Sequence, residues 1–233
     1  MRPVLILAVC GLSALILGCS VSASGRVAPM DRVTESDQSA EHRRAHLRLS
    51  LATAYLQQGQ TLVALDEVKQ ALALAPDLSA AWHLRGVIYM QLGDVSRADP
   101  SFERAMALSP DDADLLHNYG WLLCRLPVAE DRHVRAQALL RRAAARSTAA
   151  QSAKSWLALA ICQEQVGQTG QALDSLFQPA LMTMADAPTL WQAAKLARKL
   201  DNAGLVARFG EQLRHRYGRS QQAAAFDKGA WDE

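Results

Sequence analysis

SAAWHLRGVIYMQLGDVSRADPSFERAMALSPDD, residues 79–112, repeats the pattern of the 34 residues before it, AHLRLSLATAYLQQGQTLVALDEVKQALALAPDL, residues 45–78. Ala52 and Gly86 share a column, as do Tyr55 and Tyr89, Gly59 and Gly93, Ala64 and Ala98, Ala71 and Ala105, Leu74 and Leu108, and Pro76 and Pro110. Each column has a physical reason. Small residues let neighbouring helices approach closely, and the aromatic rings fill the gap between them. The glycine ends a first helix, and the proline stops a second one. A fixed period of this length predicts a stack of helix pairs, each burying its apolar face against the next.

The second copy carries Trp82-x-x-Arg85-Gly86-x-x-Tyr89, then Ala98-x-x-x-Phe102, then Pro110, and so resembles the tetratricopeptide repeat, with Arg85 standing where that pattern has Leu. The resemblance implies an all-α solenoid of antiparallel helix pairs, about five repeats forming a right-handed superhelix. The repeats are expected near 45–78, 79–112, 113–152, 153–187 and 188–218, within a domain at 43–218, with residues 219–233 as a C-terminal cap or tail. In the third, the turn 126–131 is lengthened and the small residue expected at 132 appears at Ala136. In the fourth, Trp156, Ala160, Gly167 and Ala172 fill the Trp, small, Gly and Ala columns; Trp191 and Ala207 continue them 35 residues on. Pro100 and Pro179 are expected inside second helices, bending them.

Half the residues are hydrophobic and only 6 % are aromatic, so the core is built mainly of Ala and Leu, a helix-forming composition. The net charge of +2 is too small and too evenly mixed to point to nucleic acid. Arginines 132, 135, 141, 142 and 146 cluster locally and read as a solvated helix face.

Residues 1–18 have the basic start and apolar run of a secretory signal, too short to span a bilayer. Ile16-Leu17-Gly18-Cys19 resembles a bacterial lipobox, which implies lipidation at Cys19; Cys10 is the rival site. Ser20 after the cysteine favours, by the same resemblance, the outer membrane, with the protein lipid-anchored and facing the periplasm. Residues 19–42 read as the lipidated Cys and a flexible tether, about 20 polar residues reaching on the order of 25 Å. Cys124 and Cys162 fall on first helices of different repeats. Buried free thiols are favoured over a bridge between them.

HExxH, CxxC, P-loop, GxGxxG and GxSxG motifs are all missing from the sequence. The reading is therefore no enzyme, no catalytic residue, no cofactor, no metal and no small-molecule substrate. His42 and His46, four apart, lack a third ligand and read as a solvated face. The candidate site is the inner groove, where equivalent positions on successive first helices stack side by side. It comprises Leu49, Thr53, Leu56, His83, Val87, Met90, His117, Asn118, Trp121, Leu157 and Ile161, with Cys124 on the same wall. An apolar stripe with a few polar groups suits an extended or helical segment of a partner protein. His83 and His117, 34 apart, read equally as exposed polar groups or as part of that recognition surface.

His117-Asn118-Tyr119-Gly120-Trp121-Leu122-Leu123-Cys124 resembles the NNYGWFLC-type segment of the type IV pilus biogenesis and stability lipoproteins of the PilW/PilF (pilotin) family. Residues 63–70 and 84–90 and the ending 225–233 share the likeness. It implies a non-enzymatic outer-membrane scaffold that binds secretin subunits of the pilus machinery and aids their localisation or multimerisation. The competing reading is a lipoprotein adaptor that regulates a cell-wall enzyme or protease. Members commonly have six repeats where five can be placed here, and the join at 177–180 is where a unit is expected to be missing.

Overall fold

A computed structural model of the chain describes residues 39–231; the signal, Cys19 and most of the tether expected from the sequence lie outside them. Among the described residues there are twelve helices and no strand. They alternate as first and second members of pairs: α1 (Ala40–Gln57) with α2 (Thr61–Leu74), α3 (Ser79–Gln91) with α4 (Val95–Leu108), and α5 (Ala113–Arg125) with α6 (Glu130–Arg146). The fourth pair is α7 (Ala149–Gln165) with α8 (Thr169–Leu176) and α9 (Pro179–Met184) together. The fifth is α10 (Ala187–Lys199) with α11 (Ala203–Tyr217), and α12 (Gln221–Lys228) packs on both helices of that pair.

The turns explain the periodicity. Gly59, Gly93 and Gly167 close the first helices of pairs one, two and four with φ of 75°, 73° and 73°. In each turn the amide that follows reaches back five residues: Gln60 to the Tyr55 carbonyl, Asp94 to Tyr89, Gln168 to Gln163. A left-handed residue lets the chain reverse while satisfying the last carbonyls of the helix. The third pair has Pro127 in this column, whose ring cannot adopt positive φ. Its turn is accordingly built differently, with Leu126 and Ala129 extended before α6 begins.

Packing follows the small and aromatic columns. Phe102 of α4 is fully buried, and a Cβ placed on Gly86 of α3 would lie 3.0 Å from its ring. Tyr119 stacks on Phe102, with centroids 5.4 Å apart, and its hydroxyl donates to Asp99 at 2.7 Å. Arg85, the departure from the repeat pattern, lies over the Trp82 ring and donates from Nε to Ser101 Oγ at 3.0 Å. Its cationic stem thus replaces a leucine without leaving the charge unpartnered.

Two expectations change, and the placement of Pro100 holds. Residues 40–42 belong to α1 and not to a tether, because Ser39 caps the helix, accepting from the His42 amide. Pro179 is not inside a helix: the chain leaves α8 at Leu176, and Pro179 opens α9, the position where its missing N–H costs nothing. Pro100 does lie within α4, yet the helix runs on without interruption, with the ring on the exposed side. No described helix is long and apolar enough to cross a membrane.

Candidate partner-binding groove

First helices stack side by side, and polar pairs staple them. Asn118 Nδ2 of α5 lies 2.9 Å from His83 Nε2 of α3, an amide hydrogen-bonded to the ring across the two helices. Burial pushes His83 below the ordinary histidine range, against the opposing pull of Asp112 and Asp114. One helix further on, His117 Nδ1 of α5 hydrogen-bonds Ser155 Oγ of α7 at 3.0 Å. Burial lowers this histidine as well, opposed by Asp114 and aided by Lys154. The two histidines are therefore built into the joints between repeats, half-buried, and each offers only part of its ring to a partner.

Beyond them lies a hollow of about 290 Å³ lined by His117, Trp121, Lys154, Leu157, Ala158, Ile161, Thr189 and Gln192. These side chains come from α5, α7 and α10, three successive first helices. Trp121, Leu157, Ala158 and Ile161 form the apolar floor. Lys154 at the rim pairs with Asp186 at 3.5 Å, the residue that caps α10. The arrangement has one large aromatic anchor, an aliphatic strip and a few polar edges, which is how sites for a partner's apolar side chains are composed.

Four of the eleven residues predicted from the sequence line this hollow: His117, Trp121, Leu157 and Ile161. Asn118 and His83 lie beside it as the staple just described. Leu49, Leu56, Val87 and Met90 are half-buried against the core, and Thr53 is exposed with its hydroxyl donating to the Leu49 carbonyl. None of these five lines the hollow. Cys124 is not on the groove wall: it is 1 % exposed, inside the core, where its thiol donates to Gln165 Oε1 at 3.2 Å. Cys124 and Cys162 are both buried free thiols. Lys154, Ala158, Thr189 and Gln192 went unpredicted, although the register could have supplied two of them. Gln192 stands 35 residues after Leu157 and Thr189 35 after Lys154, the spacing that relates Trp191 to Trp156.

Residues 41–117 match the family model described as tetratricopeptide repeat. The fold is a tetratricopeptide-repeat array. Solved structures agree over nearly their whole length. PilW, a "widely conserved type IV pilus biogenesis factor", superposes with a TM-score of 0.52 and 24 % identity, covering 78 % of this chain and 97 % of that one. The Pseudomonas aeruginosa pilF protein gives 0.54 at 19 % identity, covering 82 % and 100 %. A thermophilic TPR protein of Thermus thermophilus gives 0.62 at 15 % identity, covering 80 % and 98 %. Among curated proteins, FlbA of Caulobacter vibrioides is 27 % identical over 141 residues, 60 % of this chain; the chain spans under a quarter of FlbA's length, 23 %. PilW and PilF thus share the fold of this array.

Proposed function

We propose that this array is a non-enzymatic assembly factor of type IV pilus biogenesis, lipid-anchored through Cys19 to the outer membrane, whose α5/α7/α10 groove holds a segment of the secretin. The observation that carries the reading is the groove itself. Trp121, Leu157 and Ile161 are brought together from two repeats into one apolar floor, and repeat arrays bind along such walls. The pilus assignment is supported by the architecture shared with PilW and by the 117–124 segment, whose residues both staple and line the groove. The anchor is supported by the lipobox-like residues 16–19. A trapped partner segment needs no chemistry from the protein. It needs a preformed surface on rigid helices, which lowers the cost of ordering.

The anchor is tested by Cys19→Ala in cells. The variant should leave the membrane fraction and reduce secretin multimers while its helical content stays unchanged. A variant that stays membrane-bound and still incorporates a fatty-acid label would contradict the assignment.

A further inference from the structure

Behind the groove, repeats three and four enclose a cluster that partner binding does not use. Cys124 of α5, His133 of α6 and Cys162 of α7 place two sulfurs and an imidazole nitrogen within 4.8 Å of one another, and all three residues are buried. His133 is 2 % exposed. Its Nδ1 lies 3.1 Å from the Ala129 carbonyl, the shorter of its two contacts with that residue, the other being 3.4 Å to the amide. Its Nε2 is buried with no hydrogen-bond partner. Burying an imidazole nitrogen unpaired is unfavourable. A histidine whose Nδ1–H is held by a backbone carbonyl, leaving Nε2 free, is the arrangement that metal-ligating histidines adopt.

We infer that Cys124, His133 and Cys162 form a site for a thiophilic divalent cation of the zinc class. Two thiolates and one imidazole are a favourable soft-ligand set for such an ion. Tetrahedral coordination, with bonds of about 2.3 Å to sulfur and 2.0 Å to nitrogen, sets ligand atoms roughly 3.5–3.8 Å apart, so binding draws the three inward from the 4.8 Å within which they lie. Binding releases the two thiol protons to solvent, and the two thiolates then balance the ion's charge, so the buried site carries no net charge. Gln165 Oε1, already 3.2 Å from Cys124 Sγ, is within reach of the fourth position. The ligands come from three helices in two repeats, so the ion would pin α5, α6 and α7 together directly behind the groove. The lengthened turn before α6 has a purpose in this arrangement. It sets His133 near the start of the helix, where the imidazole meets two cysteines that belong to neighbouring first helices.

The test uses the full mature chain, reduced with a thiol-free reductant. Titration with Co²⁺ should give a thiolate-to-cobalt charge-transfer band that saturates at one equivalent and disappears when Zn²⁺ is added. His133→Asn should weaken Zn²⁺ binding by more than about 100-fold, the upper cost of losing a partner of a ligand, and Cys162→Ser should abolish the band, with far-ultraviolet circular dichroism unchanged in both. Failure of the reduced wild-type protein to give the band, or undiminished Zn²⁺ affinity in His133→Asn, would overturn the site. So would protein isolated from cells zinc-free with Cys124 and Cys162 joined as a disulfide.

Discussion

Asp201 holds a left-handed backbone conformation, φ 52°, where pairs one, two and four have Gly59, Gly93 and Gly167. The hydrogen bond that marks the turn survives, from the Asn202 amide to the Ala197 carbonyl at 2.9 Å. The conformation is unfavourable for a residue with a Cβ, least so for Asp and Asn. Asp201→Gly relieves that strain but adds freedom to the unfolded chain, and the relief is the larger effect. A gain of about 0.5 kcal/mol in unfolding free energy is expected by denaturant titration, and Asp201→Val, β-branched in the same conformation, should lose more than about 1 kcal/mol. Equal stability of the three proteins would show that the turn relaxes around the side chain. The residue scale is also where the sequence is least explicit. Arg85 could be seen to depart from the repeat and to stand one turn from Trp82 on the same helix, but its hydrogen bond to Ser101 depends on a contact between helices that no spacing reveals.

Between elements, the polar staples make the groove sensitive to acid. His83 and His117 have their affinity for protons lowered by burial, so in the folded state the neutral form persists below the pH at which the unfolded chain takes up protons, about 6.5. The sign is then fixed. The unfolded state binds more protons as pH falls through that value, so stability is complete above about 6.5 and is lost progressively below it. The groups facing these rings are Asp112 and Asp114 from the α5 end and Lys154 from α7. The melting temperature should fall between about pH 7 and pH 5, and His83→Gln with His117→Gln should flatten the profile. A double variant that retains the full pH dependence would assign it to other groups. The column spacing placed both histidines on first helices. It could not show that His83 pairs with Asn118 and His117 with Ser155, because the second pairing spans the lengthened third turn and breaks the 34-residue register.

At the scale of the molecule, the apolar interior has two cores. One runs through pairs one to three and takes Ala158, Leu159 and Cys162 from α7; the other fills pairs four and five and takes Ala153, Leu157 and Ala160 from the same helix. Trp156 packs against both. A linear array holds together only through neighbouring contacts, so α7 is the seam. The far core is closed by α12 and the residues just after it: Phe226 and Trp231 pack with Trp191, centroids 6.3 and 4.9 Å away. A Cβ on Gly210 would run into the Phe226 ring. Gly210→Val should therefore lift α12 and raise hydrogen exchange through α10–α12 while α1–α4 keep their protection. Uniformly faster exchange along the chain would show a single cooperative unit instead.

How far the array could be read in advance follows from the same picture. The period, the small and aromatic columns and the turn glycines made the pairs legible, because each is a local requirement repeated down the chain. The division of the core at α7 was not, and the split of α8 from α9 was visible only as an irregular join at 177–180 with Pro179, since both arise where the repeats stop being alike. The groove was half legible: Trp121, Leu157 and Ile161 stood in visible columns, whereas Lys154 and Ala158 beside them and the far edge, Thr189 and Gln192, depend on how α5, α7 and α10 turn toward one another.

The groove is the centre of the account, and Trp121 is its largest apolar side chain. Affinity of the purified protein for the periplasmic part of the proposed partner, the secretin, measured for wild type, Trp121→Ala and the exposed α6 variant Arg141→Ala, tests it most directly. Trp121→Ala should weaken binding by at least about 2 kcal/mol, as truncation of a central aromatic anchor does, while Arg141→Ala binds like wild type. Unchanged affinity in a Trp121→Ala protein that remains folded would contradict the assignment of partner binding to this groove.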